Sequence, residues 1–327
     1  MRKNIAVITG GAASEVGIAL KSAGVVVKYL RKAEYNVYKI LIDGTDWWYV
    51  EDDQKITLID KNDFTLTLND HKLHFDAVFI AIHGTPAEDG KLQGYFDLLN
   101  MPYNTCGVFQ AALTFDKQRT KEYLSLFGIK SAKAIVLRDA AAIEAAMQQI
   151  VSEIPFPVFV KPNRNGSSYG AAKVEALEDL EAALLNAFNY DDEVLVEEYL
   201  KGREVTNGVF TKDGVVKALP ITEIITKNSF FDYKAKYEGD SKEVTPAEID
   251  ADLTIEIQEN TKRVYQLLGM KGMSRIDYII TSKGFYMLEV NSIPGLSEES
   301  IIPQQARASG YTLEEFFTIS IEECLRK

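Results

Sequence analysis

Short β-branched runs alternate with a helix-length stretch over the first eighty residues, and this order narrows the fold more than any other feature. Apolar runs of strand length that end at glycine, separated by a helical pattern, close into a parallel sheet with helices on its faces. Ile5 to Ile8 ends at Gly10-Gly11. Ile18, Leu20, Val25, Val26, Tyr29 and Leu30 then follow helical spacing, Asn36 to Ile42 is a second strand closed by Asp43-Gly44, and Phe75 to Ile82 a third running into His83-Gly84. Between the last two, Trp47 to Leu73 alternates apolar and polar residues and predicts a small hairpin insertion.

Beyond residue 104 the pattern changes. Val108 to Phe127 predicts a helix ending at Gly128, and Ala140 to Ile154 another, stopped by Pro155. Lys133 to Leu137 and Pro157 to Lys161 predict strands, and Leu177 to Phe188 a helix. Strands return from Glu193 to Glu223 around the turn Lys212-Asp213-Gly214, and a helix through Leu253, Ile257, Val264 and Leu268 ends at Gly269. Met273 to Ile280 and Phe285 to Val290 predict a hairpin, and Thr312-Leu313-Glu314-Glu315 a capping box that opens the last helix. Residues 226 to 243 are polar without periodicity, which in a chain this ordered predicts a functional loop. A length of 327 residues suits two or three domains.

Charge and cysteine content exclude several function classes. With 36 Lys and Arg against 48 Asp and Glu, the net charge of −12 disfavours nucleic acid or an anionic membrane as partner. Two cysteines, Cys106 and Cys324, are too few for a disulfide framework. The apolar run after Met1 is only Ile5 to Ile8, too short for a signal peptide, so a cytoplasmic, soluble protein is expected.

The terminal hairpin carries the strongest chemistry. Arg275 and Asp277 lie two apart on one strand, Glu289 and Asn291 two apart on the next, so each pair shares a sheet face. Two carboxylates and an amide oxygen brought together are hard ligands suited to Mg²⁺; the plainer alternative is a solvated face of alternating charge. Lys161-Pro162 followed by Gly166-Ser167-Ser168 delivers a lysine into a Gly/Ser loop able to cover phosphates, although it lacks the Walker spacing and could be an ordinary turn. The strand through Glu197-Glu198 turns polar and ends at Gly202, where an edge could meet an adenine and a ribose. Gly10-Gly11 does not complete a dinucleotide fingerprint. Of three histidines, His71 and His74 read as solvated, whereas His83 ends a buried strand at the ligand-binding edge of the sheet; a satisfied core histidine is the alternative.

Taken in order, these marks resemble the D-alanine:D-alanine ligases of the ATP-grasp superfamily, almost from end to end. The motifs are Gly10-Gly11-Ala12-Ala13-Ser14-Glu15, His83-Gly84 with Glu88-Asp89-Gly90-Lys91-Leu92-Gln93-Gly94, Asp116-Lys117, and Lys161-Pro162 with Gly166-Ser167-Ser168. Tyr233-Lys234-Ala235-Lys236-Tyr237, Arg275-Ile276-Asp277 and Glu289-Val290-Asn291-Ser292-Ile293-Pro294-Gly295 complete them.

The resemblance implies an α/β ATP-grasp fold with a Rossmann-like parallel-sheet domain at residues 1–104, a central subdomain at 105–192, and a C-terminal subdomain at 193–327 with a mobile loop at 226–243. It implies ATP and Mg²⁺ (or Mn²⁺), D-alanine as substrate, a homodimer, and a role in peptidoglycan precursor synthesis. By resemblance, Lys117, Lys161 and Ser168 contact ATP phosphates, Glu197, Glu198, Leu200 and Glu204 line the adenosine site, and Asp277, Glu289 and Asn291 hold the metal. Glu15 pairs with the first ammonium, Ser167 and Tyr237 link that site to the loop, and His83, Lys236 and Ser300 bind substrate. Arg275 and the Gly295 N–H stabilise an oxyanion. Tyrosine at position 237 accompanies dipeptide rather than ester synthesis in the family. Ala13, Val16, Gly17, Ala19 and Ala87 depart from the family pattern around the first-substrate pocket. Two other functions stay open on these residues: a ligase for D-lactate or D-serine as second substrate, and a nucleotide-binding regulator without turnover.

Overall fold

A computed structural model of the chain describes residues 2–11, 15–166, 168–226 and 241–326, and its strands form three sheets. The first contains β1 (Asn4–Gly10), β2 (Asn36–Asp43), β3 (Asp46–Glu51), β4 (Gln54–Asp60), β5 (Thr65–Leu68), β6 (His71–His74) and β7 (Ala77–Ile80), in the order β6-β5-β4-β3-β2-β1-β7. Only β1, β2 and β7 are parallel, with β1 in the middle. Ile5 to Ile8 are completely buried there, as expected of a strand covered on both faces.

The stretch from Trp47 to Leu73 differs from the small insertion expected of it. Its four strands continue the sheet antiparallel from β2 outward. The alternation buries one face because Trp47 meets Tyr95, and Phe64 meets Tyr95 and Phe96, of the helix Lys91–Leu98, edge to face, with Phe75 tilted against Phe64. A free hairpin would have left that aromatic surface in water.

The second sheet holds β8 (Ala134–Leu137), β9 (Val158–Pro162), β10 (Ala172–Val174) and β11 (Val194–Glu198), in the order β10-β9-β11-β8. The third holds β12 (Arg203–Lys212), β13 (Val215–Thr226), β14 (Ser241–Val244), β15 (Ser274–Thr281) and β16 (Gly284–Asn291), in the order β14-β13-β12-β15-β16. Because β11 pairs with β8 and β9, the second sheet runs on through Glu198, past the subdomain border expected at 192/193. Nor do residues 193–327 pack as one unit. The helices Ile301–Ala308 and Leu313–Leu325 return to the first sheet, where Ile302, Phe316, Phe317 and Ile321 share a core with Ile5, Val7 and Phe79. The two ends of the chain are thereby fastened together.

Local chemistry explains the helix ends. The single helix expected over 108–127 is two, Val108–Phe115 and Lys117–Ser125, because Asp116 is extended and its carboxylate accepts from the Arg119 N–H at 2.9 Å, capping the second. The capping box expected at Thr312 and Glu315 is present in both directions. The helix Ile301–Ala308 was not anticipated: Pro303 reads as a breaker, yet it occupies the first turn, where its missing N–H has no intrahelical partner to lose.

Candidate active site

The second and third sheets, with the start of the helix Val16–Lys32 and the turns after β7, border one cleft of about 1210 Å³. Glu15, His83, Lys117, Lys161, Ser168, Glu197, Glu198, Leu200, Glu204, Arg275, Asp277, Glu289, Asn291, Gly295 and Ser300 all line it, so every expected site residue that is described converges on this space. Ser167, Lys236 and Tyr237, with most of the expected loop 226–243, lie outside the described residues.

The floor is the β15–β16 hairpin. Pairing sets Arg275 opposite Asn291 and Asp277 opposite Glu289, as the alternation requires, and a bulge beyond Asp277 shifts the register so that Tyr278 meets Met287. Asp277 is nearly buried and fully engaged. Oδ1 accepts from Thr206 and, at 2.9 Å, from Arg275 Nε, while Oδ2 accepts from Arg275 Nη2 at 2.8 Å and Asn291 Nδ2 at 3.0 Å. A carboxylate only accepts, so the Asn291 amide nitrogen faces Asp277 and its oxygen is the atom left for a ligand. Two carboxylates and one amide oxygen on one sheet face are a hard donor set of the kind Mg²⁺ takes, which Asp277 would join by exchanging one of its four donors for the metal.

One wall offers cations. Lys117, the first residue of its helix, places Nζ 2.7 Å from Asn165 O and 3.6 Å from Glu289 Oε2, tying the Gly/Ser loop to the hairpin. Opposite, Glu197 is 3 % exposed and lies between two buried ammonium groups, Lys121 and, at 2.8 Å, Lys161. Burial alone would raise its pKa, but the two lysines hold it down to about 2. Burial pushes Lys121 down to about 8 against the pull of Glu197, while Lys161 resists burial and stays above its ordinary value through Glu197 and Glu289. The neighbouring Glu198 accepts from the Lys133 N–H at 3.0 Å.

The other wall comes from the start of the helix Val16–Lys32 and the turns after β7. Glu15 stands at the start of the helix Val16–Lys32, so close to the loop that a Cβ on Gly166 would lie 2.6 Å from Glu15 Oε2. A side chain at 166 would therefore displace the Glu15 carboxylate from the loop. Glu88 accepts from the Gly84 N–H at 2.8 Å; burial first, and Glu15 second, push its carboxyl up to about 7. His83 is buried and neutralised by burial, with Nδ1 2.9 Å from Ile293 O and Nε2 3.3 Å from Ser22 Oγ. Both ring nitrogens therefore face protein atoms, which argues against the expected direct substrate contact from His83 and for the satisfied-histidine alternative. Ser300 caps the approach to the helix Ile301–Ala308, with its hydroxyl 2.7 Å from Ser297 Oγ and against Gly295.

Comparison with known proteins meets this geometry at full length. The D-ala D-ala ligase N-terminus family matches residues 4–106 and the D-ala D-ala ligase C-terminus family residues 123–322. The chain belongs to the D-alanine–D-alanine ligase family. A D-alanine–D-alanine ligase of Flavobacterium johnsoniae is 48% identical over 98% of each chain, and one of Parabacteroides distasonis 43% identical over 100% of this chain and 98% of its own. Among solved structures of the family, D-alanyl-alanine synthetase A of Vibrio cholerae matches with a TM-score of 0.88 at 27% identity over 99% of this chain and 98% of its own. The VanG D-Ala:D-Ser ligase of Enterococcus faecalis also reaches 0.88, at 32% identity over 99% and 100%. Equal backbone agreement with both means that the fold of a D-alanine–D-alanine ligase family member does not by itself select the second substrate.

Three residues of this site had no role in the sequence reading. Glu88 lay in a motif without an assigned function, Lys121 is one helical turn from Lys117, and Ser22 is two turns from Glu15. Helical spacing from a residue already singled out was the available signal for the last two.

Proposed function

We propose that the chain joins two D-alanine molecules with ATP, releasing ADP and phosphate, to supply D-alanyl-D-alanine for peptidoglycan. The observation that carries this reading is the convergence of the acidic hairpin, Lys117, Lys161 and Glu15 on one cleft, in a chain 48% identical over nearly its whole length to a D-alanine–D-alanine ligase.

A carboxylate is a poor acyl donor. Transfer of the ATP γ-phosphoryl group to one carboxylate oxygen of the first D-alanine expels ADP and makes an acyl phosphate. The amine of the second D-alanine then attacks that carbonyl carbon, phosphate leaves, and the peptide bond remains. In this scheme Lys117, Lys161 and Ser168 hold phosphates, and Glu197, Glu198, Leu200 and Glu204 line the adenosine. Asp277, Glu289 and Asn291 would hold Mg²⁺ or Mn²⁺, which supplies charge neutralisation for phosphates. Glu15 receives the first ammonium. Ser300, before a helix N-terminus, and Lys236 receive the second carboxylate. Arg275 and the Gly295 N–H face the oxyanion of the tetrahedral intermediate, where a fixed donor acts without reorganisation. The acyl phosphate would hydrolyse in water, so Ser167, Tyr237 and the segment 226–243 are assigned to covering it.

Among the described residues no helix is long and apolar enough to cross a membrane. We place the reaction in the cytoplasm, where ATP is available, and in a homodimer. We keep 1–104, 105–192 and 193–327 as a division by function rather than by packing.

Phosphate release dependent on D-alanine, with D-alanyl-D-alanine as product, tests this reading. Release that does not depend on D-alanine overturns it. The likeness to a D-Ala:D-Ser ligase favours one specific second reading, a mixed dipeptide, and D-serine in the same assay decides between them.

A further inference from the structure

The segment Ile293-Pro294-Gly295-Leu296 is gripped from the opposite side of the cleft by two side chains. His83 Nδ1 lies 2.9 Å from Ile293 O, and Ser22 Oγ accepts from the Leu296 N–H at 3.1 Å. Ser22 also lies 3.3 Å from His83 Nε2 and is wholly buried. Hydrogen positions follow by elimination. A carbonyl oxygen only accepts, so His83 carries its proton on Nδ1. Ser22 accepts from Leu296 and turns its own hydroxyl hydrogen to the bare Nε2. Every polar atom of the relay is then satisfied, whereas an imidazolium would leave the serine hydrogen buried without an acceptor. Burial of His83 between Glu15 and Arg275, whose charges act on it in opposite directions, agrees with the neutral ring.

The relay brackets Gly295. Ile293 is pinned at its C=O, Pro294 has a fixed φ, and Leu296 is pinned at its N–H, so the Gly295 amide between them has little freedom. Ser22 lies seven residues after Glu15, which places both on one face of the helix Val16–Lys32. We propose that Ser22 and His83 are positioning residues that set the Gly295 N–H for the oxyanion through the relay Leu296 N–H, Ser22, His83, Ile293 O. The proposal rests on the ligase reading and on the role given there to Gly295.

Two measurements test it. In the D-alanine-dependent phosphate assay, Ser22→Ala and His83→Ala lower kcat by about ten- to hundredfold with the KM for ATP within about twofold, the cost expected of a misplaced donor. His83→Asn, whose amide nitrogen can stand in for Nδ1 toward Ile293 O, recovers most of the loss at a melting temperature equal to that of His83→Ala. Unchanged kcat in both alanine variants, or equal losses in His83→Asn and His83→Ala, overturns the positioning role. Independently of activity, the wild-type protein labelled with ¹⁵N-histidine has only three rings to resolve. At pH 7 one of them shows the neutral Nδ1–H tautomer, which Ser22→Ala keeps because Ile293 O still takes the proton, while the bare Nε2 resonance shifts on losing the serine hydrogen bond. An Nε2–H tautomer or an imidazolium at His83 refutes the relay. A wild type that releases no phosphate with D-alanine refutes the ligase reading instead, and the tautomer result then stands separately.

Discussion

Replacing Glu88 with glutamine should remove a specific dependence of stability on pH. The carboxyl accepts from the Gly84 N–H, and burial with Glu15 nearby raises its pKa from 4.5 to about 7. Between those values the folded chain holds a proton that the unfolded chain has released. The contribution of Glu88 is therefore fully present below pH 4.5 and is lost as pH rises through 7. A shift of about 2.5 units at about 1.36 kcal/mol each corresponds to roughly 3 kcal/mol, and screening by water in the cleft makes that an upper bound. Glutamine keeps an acceptor for the Gly84 N–H and cannot ionise. Urea unfolding at intervals from pH 4.5 to 8 should show the wild type losing up to this amount relative to Glu88→Gln, with the variant the more stable at pH 8. Parallel curves for the two proteins would refute the reasoning, since they would mean that Glu88 titrates alike folded and unfolded.

Glu197→Gln should destabilise the chain by roughly 3–5 kcal/mol in denaturant, because it leaves the buried Lys121 and Lys161 facing each other without their anion. Glu289→Gln should raise the Mg²⁺ concentration needed for half-maximal activity with little change in melting temperature; full activity at limiting Mg²⁺ would remove Glu289 from the metal set. Arg275→Lys should lower kcat by more than it raises the KM for ATP, since a point charge cannot keep the two-pronged bond to Asp277 while facing an oxyanion. Tyr237→Phe should move products toward D-alanyl-D-lactate when D-alanine and D-lactate compete, by the modest factor that one hydrogen bond of about 0.5–1.5 kcal/mol permits, read by chromatography.

The hairpin that floors the cleft was legible because strand alternation and the turn at Ser282-Lys283 fix which residues share a face, and the structure pairs Asp277 with Glu289 accordingly. The bulge beyond Asp277 was not, since no residue type there announces an extra position. Asp116 was passed over as part of one helix although an aspartate three residues before Arg119 is a cap signal. Pro303 hid a helix whose first turn tolerates it. The roles of Ser22 and His83 depend on contacts between segments about two hundred residues or more apart, His83 with Ile293 and Ser22 with Leu296, and no local pattern records them. The aromatic face of β3 to β6 likewise needed the helix Lys91–Leu98 in view before the stretch could be seen as sheet rather than appendage.

The most direct test of the ligase account is a reaction of the purified protein with ATP, Mg²⁺ and an equimolar mixture of D-alanine, D-serine and D-lactate, with products separated and weighed by mass spectrometry. The account predicts D-alanyl-D-alanine as the main product, formed one for one with ADP and phosphate. ADP formed without any D-alanyl product, or D-alanyl-D-serine or D-alanyl-D-lactate in excess of the dipeptide, would contradict it.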